Sequence, residues 1–334
     1  MDQLEQPLRY IPLNNKAFEF NAGLRRLQPE NSHKDRGQRL IQIDRFWPHY
    51  RAEKIRARQE QLDKYVCSRD LSSAASSRVT AFLLGYLSQT WPQQFKLVND
   101  GQTARLDCLL SGEILYFDQA LKLTQVTTTS PGVEPAYINA LDALGCQIQE
   151  DLAICEYRQN NNYISWLHLC LPNHWAATDK VGQDFISAHA PVPGMDRINR
   201  QSEALIETLV RKGPFERFTW GLATDTRLNH HPQAPAQNVA DQHTQDWHGR
   251  CFNSNDPQLY LRVERQVTVG LPDVRAFIFL IRTYLYDITS LDRQQLQQLS
   301  NSLTTMSPDI QAYKGLSDNA TDIMHWLNEL ALQP

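Results

Sequence analysis

A chain of 334 residues, 41% hydrophobic and 21% charged, has the profile of a globular protein, which excludes disorder and collagen-like structure. Its formal net charge of -4, from 33 Lys+Arg against 37 Asp+Glu, supplies no global positive field that would gather nucleic acid or anionic lipid. Neither class of partner is expected.

Residues 1 to about 45 read as an N-terminal arm whose charge-rich stretch Glu30 to Gly37 is a surface loop. Arg51 to Val66 carries Ile55, Leu62 and Val66 among charged neighbours, which predicts a helix with a thin apolar stripe. A second helix is predicted from about Ser76 through Val79, Leu83 and Leu87, ending before Pro92. From Phe95 to Leu171 the pattern turns to short β runs, Leu106–Leu110, Ile114–Phe117, Ala153–Tyr157 and Tyr163–Leu171, with a short helix between Tyr137 and Leu144. A helix from about Arg197 to Arg211 stops at Gly213-Pro214. The strongest pattern is Leu259–Val269 followed by Ala276–Ile288, an antiparallel hairpin around Gly270-Leu-Pro-Asp-Val274. Two helices close the chain, one through Leu296, Leu299 and Leu303 and one carrying Ile323, Trp326, Leu327 and Leu330. The class is α+β with a mostly antiparallel sheet. The expected organisation is a single domain over 46–330, with a core at about 95–290 and C-terminal helices at 290–332.

Several chemistries find no motif. The longest strictly apolar run is Ala276–Ile281, and the first residues lack a basic region followed by an apolar one, so no membrane span or leader is expected and the protein is expected to be cytoplasmic. Six scattered cysteines form no C-x-x-C pair and no sequence cluster for zinc or an iron–sulfur centre. G-x-x-x-x-G-K-[ST], G-x-G-x-x-G and G-x-S-x-G are all missing, which argues against a nucleotide loop, a Rossmann unit and a serine nucleophile elbow.

What remains is a set of charged and imidazole side chains in unusual settings. With the hairpin turn placed at about Pro272, Arg262 stands opposite Arg282, with Glu264 diagonal on the same face. Two facing guanidinium groups need an anion between them, either Glu264 itself or a ligand carboxylate or phosphate. Arg265 shares a face with Leu261, Val263, Val267 and Val269, where a charge is costly unless it is paired, bound, or rotated into water by a bulge. His189 lies in Ala188-His-Ala-Pro-Val-Pro-Gly194, where two prolines stiffen the following backbone; it reads either as a preset metal ligand or as a loop histidine bonded to backbone. His230, His231, His243, His248 and Cys251, with Asp225, Asp241 and Asp246, form a looser group without a zinc spacing. Glu150 and Asp151 precede a β run, at a strand mouth where carboxylates donate protons, hold an amine, or simply face solvent.

Seven segments in order carry a wider likeness: Gln149-Glu-Asp-Leu152, Leu171-Pro-Asn-His-Trp175 with Lys180-Val-Gly182, His189-Ala-Pro-Val-Pro-Gly194, Arg217-Phe-Thr-Trp220, Arg262-Val-Glu-Arg-Gln266, Phe279-Leu-Ile-Arg-Thr-Tyr284 and Tyr313-Lys-Gly-Leu316. From roughly Gly23 to Trp326 the chain resembles the haem-dependent oxidative N-demethylase family. The resemblance implies a PAS-like antiparallel sheet with packed helices and helical extensions at both ends. It implies haem b as cofactor, and oxidation of a small secondary amine such as dimethylamine by dioxygen, releasing formaldehyde. Electrons would come from flavin and iron–sulfur proteins or subunits, whose signatures this chain lacks. It makes His189 the expected axial ligand, Arg262, Arg265, Arg282 and Trp220 expected haem contacts, and Glu150, Asp151 and Glu264 candidates for polarising oxygen or holding the protonated amine. Two positions depart from the expected pattern: Thr219 stands where Arg-x-Asn-Trp has asparagine, and Ala188 replaces a larger aliphatic before the histidine. The alternative function is a haem or small-ligand sensing protein on the same fold.

Overall fold

A computed structural model describes residues 4–20, 22–129, 132–158, 161–235 and 247–332. His243, Asp241 and Asp246 lie outside them. The elements in chain order are β1 (Arg25–Arg26), α1 (Trp47–Tyr65), β2 (Val66–Ser68), α2 (Ser73–Thr90), β3 (Phe95–Asn99), β4 (Ala104–Cys108), β5 (Glu113–Phe117), β6 (Leu123–Thr128), α3 (Ala140–Gly145), β7 (Asp151–Arg158) and β8 (Asn161–His168). Then come α4 (Ala177–Lys180), α5 (Phe185–His189), α6 (Asp196–Asn199), α7 (Ser202–Lys212), β9 (Phe215–Ala223), β10 (Tyr260–Leu271), β11 (Ala276–Asp287), α8 (Arg293–Thr305), α9 (Pro308–Tyr313) and α10 (Ala320–Leu332).

The fold is α+β. A seven-stranded antiparallel sheet runs β1-β9-β10-β11-β7-β8-β2, beside a four-stranded meander β3-β4-β5-β6. Its five central strands, with α4 to α7 all inserted between β8 and β9, agree with the sheet-and-helix core that the resemblance implies. Local chemistry sets the ends of several helices. Ser72 Oγ accepts from Ala75 N at 3.1 Å to start α2, and Asp292 with Gln295 forms a capping box on α8. The helix predicted over 197–211 is instead broken between Asn199 and Ser202. Strands β3, β6 and β9 are additions to the sequence reading; β3 and β6 are the edges of the meander and bury little.

Helix α1 differs from its predicted stripe. Its buried face is Trp47, Tyr50, Lys54, Ala57 and Arg58, two of them cations with no exposed surface. Each has its counter-charge: Arg58 bonds both oxygens of Asp142 at 2.9 and 2.8 Å, and Lys54 Nζ lies 3.7 Å from Asp151 while donating to the Gly145 and Glu150 carbonyls.

The hairpin corrects the predicted register. Arg265, not Arg262, stands opposite Arg282, and Arg262 faces Leu285. The turn is a 3-10 segment, Pro272–Val274, closed by Arg275 in the left-handed region at φ 50, so the last pair is Leu271 with Ala276. That centre lies beyond Pro272 and moves each partner three residues along, from Arg262 to Arg265 opposite Arg282. An odd shift exchanges faces, and Arg262 therefore points away from the Arg265–Arg282 pair.

Apolar clusters cover both faces of the large sheet. Val267, Val269, Ile278 and Leu280 pack with α2, the meander and α3, while Leu261, Val263 and Tyr284 pack with α8 and α10. On the other face, Phe277 packs with Ile206, Leu209 and Val210 of α7, and Ala153 with Leu167, Leu169 and Ala177. Gly270 permits the α7 contact: a Cβ there would stand 2.2 Å from the Val210 carbonyl oxygen.

Candidate functional site

On this second face the sheet leaves a cavity of about 460 Å³, within the range of small-molecule and cofactor sites. Pleating supplies its floor: Arg217 and Thr219 of β9, Glu264, Gln266 and Thr268 of β10, Phe277, Phe279 and Ile281 of β11, and Ala153 and Cys155 of β7 alternate toward it. Leu205, Ile206 and Leu209 of α7 form one wall, and His189 with Ala188 of α5 another. Phe20, Leu24, Tyr313 and Lys314 come from the two ends of the chain.

His189 is held by its own helix. Its Nδ1 lies 2.8 Å from the Phe185 carbonyl, which selects the tautomer with a proton on Nδ1 and leaves the Nε2 lone pair without a partner among the described residues. Phe185 at 4.3 Å and Trp175 at 5.5 Å between centroids fix the ring plane. Burial pushes its pKa down, the Phe185 carbonyl opposing and Arg217 and Lys180 adding, so the imidazole is neutral near pH 7. The buried Ala188 carbonyl accepts Lys180 Nζ at 2.7 Å, and that ammonium lies 4.3 Å from the Trp175 ring, which ties α5 to α4.

Among the described residues the cavity is rich in cations and has one carboxylate. Lys180, Arg217, Arg250 and Lys314 line it with Glu264. Among the described residues the Arg217 guanidinium makes no hydrogen bond, its Nε is buried without a partner, and burial lowers its pKa despite Glu264. Among the described residues the Arg250 guanidinium makes one long hydrogen bond, 3.4 Å to the Tyr313 carbonyl. Gln266 Nε2 donates to Glu264 Oε2 at 3.0 Å, and Glu264 Oε1 has no hydrogen-bond partner among the described residues.

Of the residues singled out by sequence, His189, Glu264 and Trp220 line this cavity together. Glu150 and Asp151 do not: Glu150 Oε1 accepts from Gln42 N at 2.9 Å, and both Asp151 oxygens accept the backbone N–H groups of Cys170 and Leu171. Burial raises the pKa of both carboxyls against the pull of Arg282 and Lys54. The three hairpin arginines are buried and taken up by the protein. Arg262 donates to the carbonyls of Arg227, Leu228, Leu171 and Pro172; Arg265 pairs with Glu216 at 2.8 Å and with three carbonyls near Gly37; Arg282 pairs with Asp44 at 2.7 Å and with the Gln42 carbonyl. Arg265 and Arg282 also lie on the opposite sheet face from the cavity. Arg217, Arg250, Lys180 and Lys314 were missed as site cations. The one available signal for Arg217 was its place in the Arg217-Phe-Thr-Trp220 segment.

Two histidine groups sit nearby. His174, at φ 62, lines the cavity and stacks on His230 at 5.6 Å, with His248 at 5.7 Å; burial and neighbouring Arg250 push the His174 pKa down to about 2. Behind the sheet, folding gathers what the sequence leaves scattered: Asp142, Cys146 and His168, and Asp151, His168 and Cys170, bring ligand atoms within 4.8 Å of one another. There the carboxylates are already committed to Arg58 and to backbone amides. Burial would keep His168 neutral, but Cys170 and Asp142 outweigh it and carry its pKa well above the ordinary value.

Among the described residues no helix is long and apolar enough to cross a membrane. The family model for the haem-dependent oxidative N-demethylase, alpha subunit-like proteins matches residues 31–324. The chain belongs to that family.

Proposed function

We propose that the chain binds haem in the sheet cavity, where His189 Nε2 would hold its iron, and uses it to demethylate a small secondary amine oxidatively, releasing formaldehyde. The observation that carries this reading is the His189 geometry: an imidazole oriented by a backbone carbonyl through Nδ1, neutral, with its other nitrogen free at a cavity wall. His174 lines the same cavity without such an orienting bond. The group fits on two further counts. The floor and walls give apolar contact from Phe277, Phe279, Ile281 and Leu209, and the Arg217 guanidinium, with no hydrogen-bond partner among the described residues, suits a propionate.

Bound haem supplies the one-electron and dioxygen chemistry. The chain's own groups set up the substrate. A dialkylamine enters as its ammonium, and Glu264 is the carboxylate in the cavity that can hold it. Gln266 donates to Oε2, so Oε1 can accept a hydrogen bond from the ammonium and orient a methyl group of the amine in the cavity. The apolar wall keeps water from competing. Thr219, in place of an expected asparagine, removes side-chain volume beside Glu264, its cross-strand partner, which favours substrates at least as large as dimethylamine. The electrons come from separate flavin and iron–sulfur proteins.

The test is a visible spectrum of the purified protein, as isolated and after dithionite and carbon monoxide, followed by formaldehyde assays with small N-methylamines and a reductant. A Soret band that shifts at both steps and disappears in His189→Ala, but not in His248→Ala, is expected. A chain that binds haem and releases no formaldehyde with any such amine is the sensing alternative. No spectrum after haemin titration removes both.

A further inference from the structure

We propose that Lys314 is a covalent capture site for a small aldehyde, its Nζ adding to the carbonyl carbon at the wall of the cavity. Formaldehyde is the member of that class which the proposed reaction would release there, and to that extent the inference rests on the preceding reading.

The Nζ of Lys314 sits in a box of three rings, 5.1 Å from the centroid of Phe18, 5.6 Å from Phe20 and 5.2 Å from Trp220. Its hydrogen-bond acceptor is the Trp220 main-chain carbonyl, and among the described residues it forms no salt bridge. An ammonium in such a place has its charge balanced by ring faces and a neutral oxygen, a weak substitute for water or a carboxylate. The charged groups acting on it from neighbouring elements are Glu264 on β10, which favours the ammonium, and Arg250, which disfavours it. Burial dominates and brings the pKa from 10.5 to about 8. At pH 7.5 the neutral, nucleophilic fraction is then roughly 200-fold larger than for an ordinary lysine.

The chemistry balances without an added oxidant. The Nζ lone pair forms a C–N bond to the aldehyde carbon, whose oxygen takes the proton leaving nitrogen, giving a carbinolamine. Loss of water then gives the methylene imine, and water reverses both steps. The aldehyde is held until it is released or passed to a second nucleophile. Gly315, at φ +68, follows the lysine, and a Cβ there would fall 2.2 Å from Arg250 Cδ, so the segment is shaped to fit closely beside Arg250.

The experiment uses the full-length protein as purified, isotopically labelled formaldehyde at a few equivalents, and cyanoborohydride to reduce any imine to N-methyl-lysine, read by peptide mass mapping. Expected is labelling of Lys314 about tenfold faster than any other lysine at pH 7.5, with half-maximal rate near pH 8, and no label in that peptide in Lys314→Arg. Labelling of Lys314 no faster than surface lysines, or with their pH dependence, overturns the proposal. Because the aldehyde is added, the result is independent of turnover: formaldehyde release without Lys314 labelling removes this inference alone. Labelling in a chain that never binds haem removes the demethylase reading alone.

Discussion

Replacing Asp44 by alanine should separate the two roles open to Arg282, core strut or ligand clamp. Arg282 is 1% exposed, and among the described residues its Nε has no hydrogen-bond partner and Asp44 Oδ2 at 2.7 Å is its only anionic one. Removing one member of such a buried pair leaves an uncompensated charge, at a cost of about 3–5 kcal/mol. Asp44 also accepts from Phe46 N at 3.0 Å and Gln149 Nε2 at 3.2 Å, which places the cost toward the upper part of that range. With an unfolding entropy of about 2.1 cal/mol/K per residue over 334 residues, or roughly 0.7 kcal/mol/K, the melting temperature should drop by roughly 4–7 °C. Thermal and urea unfolding measure this, with the Soret band recorded below the transition. Haem affinity should hold, because the pair lies on the far face of the sheet. A fall of under about 1 °C, or a loss of haem at unchanged stability, would show that Arg282 serves a ligand and that the face assignment is wrong.

Arg217→Met should do the opposite: weaken haem binding about tenfold by titration while stability holds or rises, since it removes a cation with no protein partner. Gly270→Ala should cost about 1–3 kcal/mol in urea unfolding and loosen haem binding too, because the new methyl meets the α7 backbone 2.2 Å away. His230 is buried, and burial holds its pKa to about 4 with Asp225 opposing. The unfolded chain takes up that proton first, so stability should fall as pH drops from about 6.5 toward 4, and His230→Gln should flatten the slope in that window. A slope unchanged in the variant would assign it to other groups.

How much of this was legible in the sequence follows from what each signal encodes. The hairpin, the two long N-terminal helices and the closing helices were readable because apolar periodicity marks a buried face, and they occur within a few residues of where it placed them. Register was not, because it is set by the turn, and Arg275 in a left-handed conformation is a choice that no glycine or asparagine announced. The buried face of α1 was missed because Lys54 and Arg58 read as solvent-facing until their partners, some ninety residues away, are in place. Strand β9 was missed for a reason tied to the site: its cavity side carries Arg217 and Thr219, so the alternation that marks a strand over a dry core is broken where the sheet faces a ligand-sized space. His189 was singled out for the prolines that follow it, whereas what orients its ring is the Phe185 carbonyl one turn earlier in α5.

The same strand, β10, shows how the fold separates structural charge from available charge. Arg265 and Glu264 are adjacent, and pleating sends them to opposite faces. On one face Arg265 ends on Glu216 and three carbonyls, and across the pair Arg282 ends on Asp44. On the other, among the described residues, Glu264 keeps an oxygen without a hydrogen-bond donor and the guanidinium of Arg217, which pairs with Gln266 across the strands, makes no hydrogen bond. Satisfying charges inside a protein is what folding ordinarily favours, and the N-terminal segment of Gly37 to Asp44 does this for the first face. Leaving charge unsatisfied on the second face costs free energy, which an anionic group beside Arg217 and a cationic group beside Glu264 would offset.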